Sequence, residues 1–246
     1  GKSFFLVNLG YGALAAGKNV IHYSMELSET HVGNRYDSRI TGIPTKELRR
    51  RMVEAENELA RFNGGQLMIK EYPPKVATIN TIKFHVGRLL SNGFDPDLII
   101  IDYGDLMKSR RGYEQKRFEL ESVFEDLRAM SMELKLPIWT ATQSNRDGFN
   151  DEIITIDKVG EAINKAHVVD FFGTFSQRKF HVGKNRMGSA NINFNIEMKP
   201  ECAHIELNDD QSSGFSTSDK LNSLLGGGSD SRSKIGNLYK SYKDGE

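Results

Sequence analysis

The stretch DLIIID, residues 97–102, limits the fold more than any other part of the chain: four large apolar side chains stand in an unbroken row between two aspartates. A strand turns successive side chains to opposite faces, so such a row needs apolar cover on both sides. That is the situation of an inner strand in a parallel sheet with helices above and below. Three further runs, KNVIHYSM (18–25), QLMIKEY (66–72) and IWTATQ (138–143), read as companion strands, the last of them buried.

Amphipathic helices are predicted between these strands. The first covers 3–16 and ends at Gly17. A second, over 45–63, puts Leu48, Met52, Leu59 and Phe62 on one side and stops at Gly64-Gly65. Thr78 is placed to cap a third, with Ile79, Ile82, Val86, Leu89 and Leu90 facing inward. The fourth, 114–136, carries Leu120, Val123, Phe124, Leu127, Met130 and Leu134 and stops before Pro137. Alternating helices and apolar strands predict an α/β fold, a mostly parallel sheet wound with helices on both faces. After residue 168 the segments VVDFFGTF, KFHVGKN, ANINFNIEM and AHIEL are separated by short turns and are expected to finish the sheet as antiparallel hairpins. From Asp209 on, Ser, Gly, Asp and Lys dominate, so the organisation expected is one domain over 1–208 and a flexible tail over 209–246.

Bulk charge names no partner, since Lys+Arg and Asp+Glu are 33 each; attraction to nucleic acid has to come from local clusters. One cysteine, Cys202, excludes an internal disulfide framework, fits a reducing cytoplasm and is expected to be a small buried apolar residue. The six histidines lack zinc-type spacing, and no apolar run reaches the ~20 residues that span a bilayer. With no initiator Met and no cleavable signal, the chain is expected to begin inside a longer protein.

Five short stretches carry chemistry. Gly1-Lys2-Ser3 opens directly into an apolar helix, as the end of a phosphate-binding loop does: backbone N–H groups hold phosphate, the lysine neutralises its oxygens and the hydroxyl ligates Mg²⁺. Against this stands the ordinary tripeptide. In VIHYSMELS, Glu26 falls just past a strand, at the sheet edge where open α/β sheets bind ligands, and a carboxylate there suits general-base work on water. It equally suits a helix N-terminus. Asp102 closes the apolar strand in the Walker B manner, suited to holding Mg²⁺. Gln143 ends the next strand, where a neutral amide can sense a γ-phosphate. HVGKNRMGS sets Lys184 and Arg186 two apart on a late hairpin, a pair able to reach a neighbouring subunit's phosphate or simply to form a basic turn.

Taken in order, these stretches resemble the RecA-like motor domain of DnaB-family replicative helicases, and within that family the phage replicative helicases of the T-even type. YSMELS is similar to the family's S-[LM]-E-M motif, LIIIDYGDLM to its Walker B, TATQSNR to its S-Q-x-N-R sensor and GKNRMG to its K-x-R-N-G finger. Asn185 and Met187 depart from the commonest finger sequence. The resemblance covers roughly 1–207. It implies an ATP-dependent DNA helicase whose ring, usually hexameric, moves 5′→3′ on single-stranded DNA in the host cytoplasm.

By the same resemblance, Gly1, Lys2, Ser3 and Asp102 bind ATP, with Ser3 and Asp102 on Mg²⁺. Glu26, Gln143, Lys184 and Arg186 serve catalysis, the last two across a subunit boundary. DNA falls to two loops, KSRRGYEQKR with Lys108, Arg110, Arg111, Lys116 and Arg117, and RDGFNDEIITIDKVGEAINK with Lys158 and Gly160. Primase and a helicase loader are the further partners implied. Two rivals remain open on the sequence: a RecA-type recombinase or clock-like ATPase without unwinding activity, and a nucleotide-binding scaffold of a replication complex.

Overall fold

Strands β1 (Val20–Ser24) and β3 (Leu98–Asp102) are buried along their whole length, side by side at the centre of a parallel sheet. A computed structural model describes residues 1–110, 112, 115–143, 162–176 and 179–208 of the chain. The order of the first sheet is β2-β1-β3-β4, with β2 (Leu67–Glu71) and β4 (Ile138–Thr140) flanking the central pair. Alternation along the strands explains the apolar row. Ile21, Tyr23, Ile99 and Ile101 pack against helices α4 (Ile79–Ser91) and α5 (Lys116–Leu134). Val20, Leu98 and Ile100 pack against α1 (Lys2–Ala15) and α2 (Glu29–Thr41). Each such side chain contributes about 1.5–3 kcal/mol by leaving water.

Local signals set the helix ends. The Thr78 hydroxyl accepts from the Thr81 N–H while the Thr81 hydroxyl accepts from the Thr78 N–H, a reciprocal cap on α4. Ser28 caps α2, which ends at Gly42 in the left-handed region (φ 72°). Gly10 lets α1 approach its neighbours: a Cβ there would sit 2.1 Å from the Tyr36 hydroxyl.

Several expectations are corrected. Helix α3 runs only over Met52–Arg61, because 45–51 forms turns; its phase starts later and turns Ala55 inward, leaving Met52 57% exposed. Leu90 lies at the margin of the α4 stripe in its last turn and is 44% exposed. Strand β4 is half-buried rather than buried, since among the described residues no strand pairs with its outer edge. Cys202 is half-buried, its thiol donating to the Gly42 carbonyl at 3.3 Å.

The C-terminal strands β5 (Phe171–Phe175), β6 (Lys179–Asn185), β7 (Ile192–Lys199) and β8 (His204–Asn208) form an antiparallel meander in sequence order. They were expected to finish the first sheet; among the described residues they make a second one. Side chains join the two. Phe5 of α1 stacks on Phe180 with ring centres 5.0 Å apart, and Trp139 meets Phe171 at 5.2 Å. Asn8 bonds backbone groups of Ala203 and Ile205. The 209–246 tail lies outside the described residues. No described helix is long and apolar enough to cross a membrane.

Candidate active site

Parallel pairing makes Ser24 the register partner of Asp102, so β1 and β3 end together. The Met25 N–H donates to the Asp102 carbonyl at 2.7 Å, holding the chain that leads to Glu26 against the end of β3. Glu26 itself is exposed. The Asp102 side chain is 0% exposed, and neither carboxylate oxygen has a hydrogen-bond partner of good geometry. Burial raises its pKa above the ordinary value, and Glu26 adds to the rise; the nearby Ser3 hydroxyl, Arg35 and Lys2 pull it back without cancelling it. The Ser3 approach therefore influences the carboxyl but does not satisfy it.

Helix α1 begins at Lys2, which presents the start of a helix, rich in unpaired N–H groups, beside these carboxylates. The Lys2 ammonium lies 4.7 Å from the centre of the Tyr103 ring. The Tyr103 hydroxyl in turn accepts from Gln143 Nε2 at 2.9 Å. Burial first, then the negative charges of Glu26, Asp105 and Asp102, raise the Tyr103 pKa. The Asp102–Tyr103 peptide bond is cis. Lys2, Ser3, Glu26, Asp102 and Gln143, drawn from four separate segments, are thus gathered at the C-terminal edge of one parallel sheet.

Lys184 and Arg186 are held by partners of their own. Lys184 lies near the end of β6 and donates to the carbonyls of Ala166 and His167, at 2.8 and 3.0 Å, at the end of helix α6 (Ala162–Val168). Arg186 lies in the turn just past the strand and reaches Asp170 at 2.7 Å, a carboxylate it shares with Arg128. Burial alone would raise the Asp170 carboxyl; the hydrogen bond and charge of Arg128, with Arg186, outweigh it and hold the pKa low.

The candidate DNA residues are dispersed. Lys108 is exposed, and Arg110 is held by Asp126, with Nε 2.9 Å from the carboxylate. Arg117 stacks its guanidinium over the Phe118 ring at 4.6 Å. Lys116 starts α5, but its side chain is not among the described ones. Arg111, Lys158 and Gly160 lie outside the described residues.

Sequence reasoning passed over Arg35. Its guanidinium stacks on Phe4 at 4.5 Å, its Nη1 is buried without a partner, and burial lowers its pKa against the opposing pull of Asp102 and Glu26. The available signal was a cation beside the apolar Val32–Tyr36 stripe of α2, nine positions after Glu26. Asp105, Thr142 and Lys165 were also passed over. They form a part-buried cluster in which Lys165 bonds both of the others.

The model of the DnaB-like helicase C terminal domain matches residues 1–152. The chain is 26% identical over 186 residues to a DnaB-like replicative helicase of Enterobacteria phage T4, covering 70% of this chain and 38% of that protein. It is 23% identical over 150 residues to a replicative DNA helicase DnaB of Helicobacter pylori, covering 59% and 31%. A probable plasmid replicative DNA helicase of Chlamydia trachomatis is 27% identical over 202 residues, covering 77% and 44%. The chain therefore spans less than half the length of these relatives. Among solved structures, one described as an ATPase domain superposes with a TM-score of 0.71 at 13% identity, covering 82% of this chain and 79% of that one. A DnaB-like replicative helicase studied with its interactions with primase gives 0.69 at 15% identity, covering 82% and 55%. At such identity these two show the shared fold.

Proposed function

The chain belongs to the DnaB-like helicase C-terminal domain family, and from that premise we propose that it is the ATP-driven motor of a ring helicase. The ring translocates 5′→3′ on single-stranded DNA and unwinds duplex at a replication fork. One observation carries the reading: Glu26 and Asp102 stand at the ends of adjacent parallel strands, beside Lys2 and Ser3 at the start of a helix. That is the set of groups a nucleoside triphosphate requires.

The roles follow from charge. Gly1, Lys2 and Ser3 bind phosphate through backbone N–H groups, ammonium and hydroxyl. Glu26, exposed and close to the buried Asp102, takes a proton from the attacking water. Gln143 is positioned to exchange its Tyr103 partner for a γ-phosphate oxygen. Lys184 and Arg186, held by α6 carbonyls and by Asp170, act on a neighbour's nucleotide, where they stabilise charge on the transferring phosphoryl group.

The site suits Mg²⁺. Asp102 offers two buried carboxylate oxygens with no hydrogen-bond partner, and Ser3 lies close by. Among the described residues no group of three or more His, Cys, Asp or Glu could hold a metal, which fits an ion bound chiefly through phosphate and water. When bound, the ion would neutralise charge on the β- and γ-phosphate oxygens.

The proposal extends to a homo-hexameric ring in the host cytoplasm, with primase and a loader as partners. Residues 1–208 form the motor and 209–246 a tail. Lys108, Arg110, Arg111, Lys116, Lys158 and Gly160 are assigned to the DNA path, Arg110 after exchanging Asp126 for phosphate. The test is ATP hydrolysis with and without single-stranded DNA, together with unwinding of a forked duplex. DNA-stimulated hydrolysis coupled to strand separation is expected. Hydrolysis that drives no unwinding would replace the helicase with a recombinase-like or clock-like ATPase.

A further inference from the structure

Lys165 is 4% exposed, and a lysine is rarely buried to that degree unless its charge is paired. Its ammonium donates to Asp105 Oδ1 at 2.7 Å and to Thr142 Oγ1 at 2.9 Å, 5.1 Å from the centre of the Phe124 ring. The Thr142 hydroxyl donates in turn to Asp105 Oδ2 at 2.7 Å, which closes a three-membered cluster. Each member comes from a different piece of chain. Asp105 lies in the short 3₁₀ turn Gly104–Leu106 directly after β3, Thr142 just beyond β4, and Lys165 in the middle of α6.

The neighbours of the cluster point to a task for it. Thr142 adjoins Gln143, which bonds the Tyr103 hydroxyl, and the Tyr103 ring carries the Lys2 ammonium. On the other side, the last carbonyls of α6 accept from Lys184. Contacts therefore run from Lys2 through Tyr103 to Gln143, whose N–H points at Asp105 Oδ2 at 3.5 Å, and on through Lys165 along one short helix to the basic hairpin. The bond from Lys165 to Thr142 also joins the chain just past β4 to the middle of α6.

We propose that Asp105, Thr142 and Lys165 are positioning residues forming a clamp that couples nucleotide state at Gln143 to helix α6 and to the basic hairpin it holds. The proposal rests on the motor reading above. Packing alone does not call for this cluster, because a buried ion pair is weak support for stability and apolar residues of similar volume commonly serve as well. What charges add is a discrete geometry, made or broken, and a two-state element of that kind is what coupling between sites needs. When Gln143 turns from Tyr103 to phosphate, its neighbour Thr142 moves, and the clamp transmits the displacement to α6.

The test compares Lys165→Met, Lys165→Arg and the apolar pair Asp105→Leu with Lys165→Met, each measured for ATP hydrolysis with and without single-stranded DNA and for thermal midpoint. In Lys165→Met, stimulation by DNA is expected to fall by about tenfold, the size of a typical coupling between sites, with basal hydrolysis retained. Lys165→Arg, which keeps the charge and its donors, restores most of the stimulation. The apolar pair holds the thermal midpoint yet stays uncoupled, so it remains informative if the single variant folds poorly. Full stimulation in the apolar pair would overturn the clamp. So would parallel loss of basal hydrolysis and thermal midpoint without rescue by arginine, the mark of a merely structural role. If the unmodified protein hydrolyses ATP without responding to DNA, the motor reading fails first and the clamp with it.

Discussion

In the parallel sheet, β1 and β3 end with Ser24 and Asp102 side by side and leave Asp102 buried with both carboxylate oxygens unbonded. In the antiparallel sheet, Lys184 sits one residue before the end of β6 and holds α6 carbonyls, while Arg186, just past the strand, holds Asp170. One half keeps a buried acceptor short of donors; the other keeps its donors engaged. A buried polar group without a partner costs about 1–3 kcal/mol, more if charged, and is tolerated where a ligand supplies the missing bond. Donors that already have partners need a competing acceptor before they turn outward. Under the proposed function the site assembles in two stages, the parallel half taking nucleotide first and the hairpin turning to phosphate at the neighbouring subunit.

The largest effect expected from breaking this comparison is at Arg186. Arg186→Ala should lower the ATPase rate by about 10³-fold or more, the range of an arginine finger. Its thermal midpoint should hardly move, because the Asp170 contact is half-exposed and Arg128 remains on the carboxylate. Steady-state hydrolysis beside a melting curve checks both. Glu26→Gln comes next, with a loss of about 10²–10⁴-fold, the worth of a general base, while ATP binding is retained. Undiminished hydrolysis would remove Glu26 from that role.

The core offers a smaller effect on the same sheet. Ile100→Ala empties a position that is 0% exposed and should cost about 2–5 kcal/mol in chemical denaturation. Met52→Ala, on the solvent side of α3, should stay within about 0.5 kcal/mol.

The smallest effect is on pH dependence. His22 is fully buried on β1, and burial lowers its pKa from 6.5 to about 3, with Arg35 adding to the shift. The folded protein keeps the ring neutral while the unfolded chain protonates it below pH 6.5, so stability is full above that pH and declines as pH falls toward the folded value. The slope is about 1.4 kcal/mol per pH unit for this group alone. His85 and His204, also lowered by burial, act in the same sense, and Asp102, raised by burial, acts in the opposite one. Urea midpoints between pH 6.5 and about 5 should fall, with a shallower fall in His22→Leu.

Much of this was legible in one dimension because it depends on local rules. The row Leu98–Ile101 needs cover on both faces whatever surrounds it, and Thr78 caps α4 through a bond to its own first turn. Asp102 closes β3, as an apolar run ending in aspartate announces, whereas Gln143 lies three positions past β4, which ends at Thr140 and not at 143 as the run IWTATQ suggested. Other features depend on meetings the order of residues does not announce. Lys165 and Asp105 are 60 positions apart, and neither lies in a motif position that suggested the other. Arg35 reads as an ordinary cation on a helix until α1 brings Phe4 beneath it. The hairpins look the same in sequence whether they extend the first sheet or form a second. The phase of α3 is hidden in the sequence because the turns at 45–51 carry a helical rhythm of their own.

The central claim is that one catalytic centre needs residues from two subunits, and mixing two impaired variants tests it most directly. Glu26→Gln keeps the hairpin intact, Arg186→Ala keeps the carboxylates intact, and each alone should retain only its residual hydrolysis. Equal mixing with free exchange makes about a quarter of head-to-tail interfaces intact in both respects. Basal hydrolysis in the mixture well above that of either variant is the predicted result. A mixture no more active than its two components would contradict a site shared between neighbours.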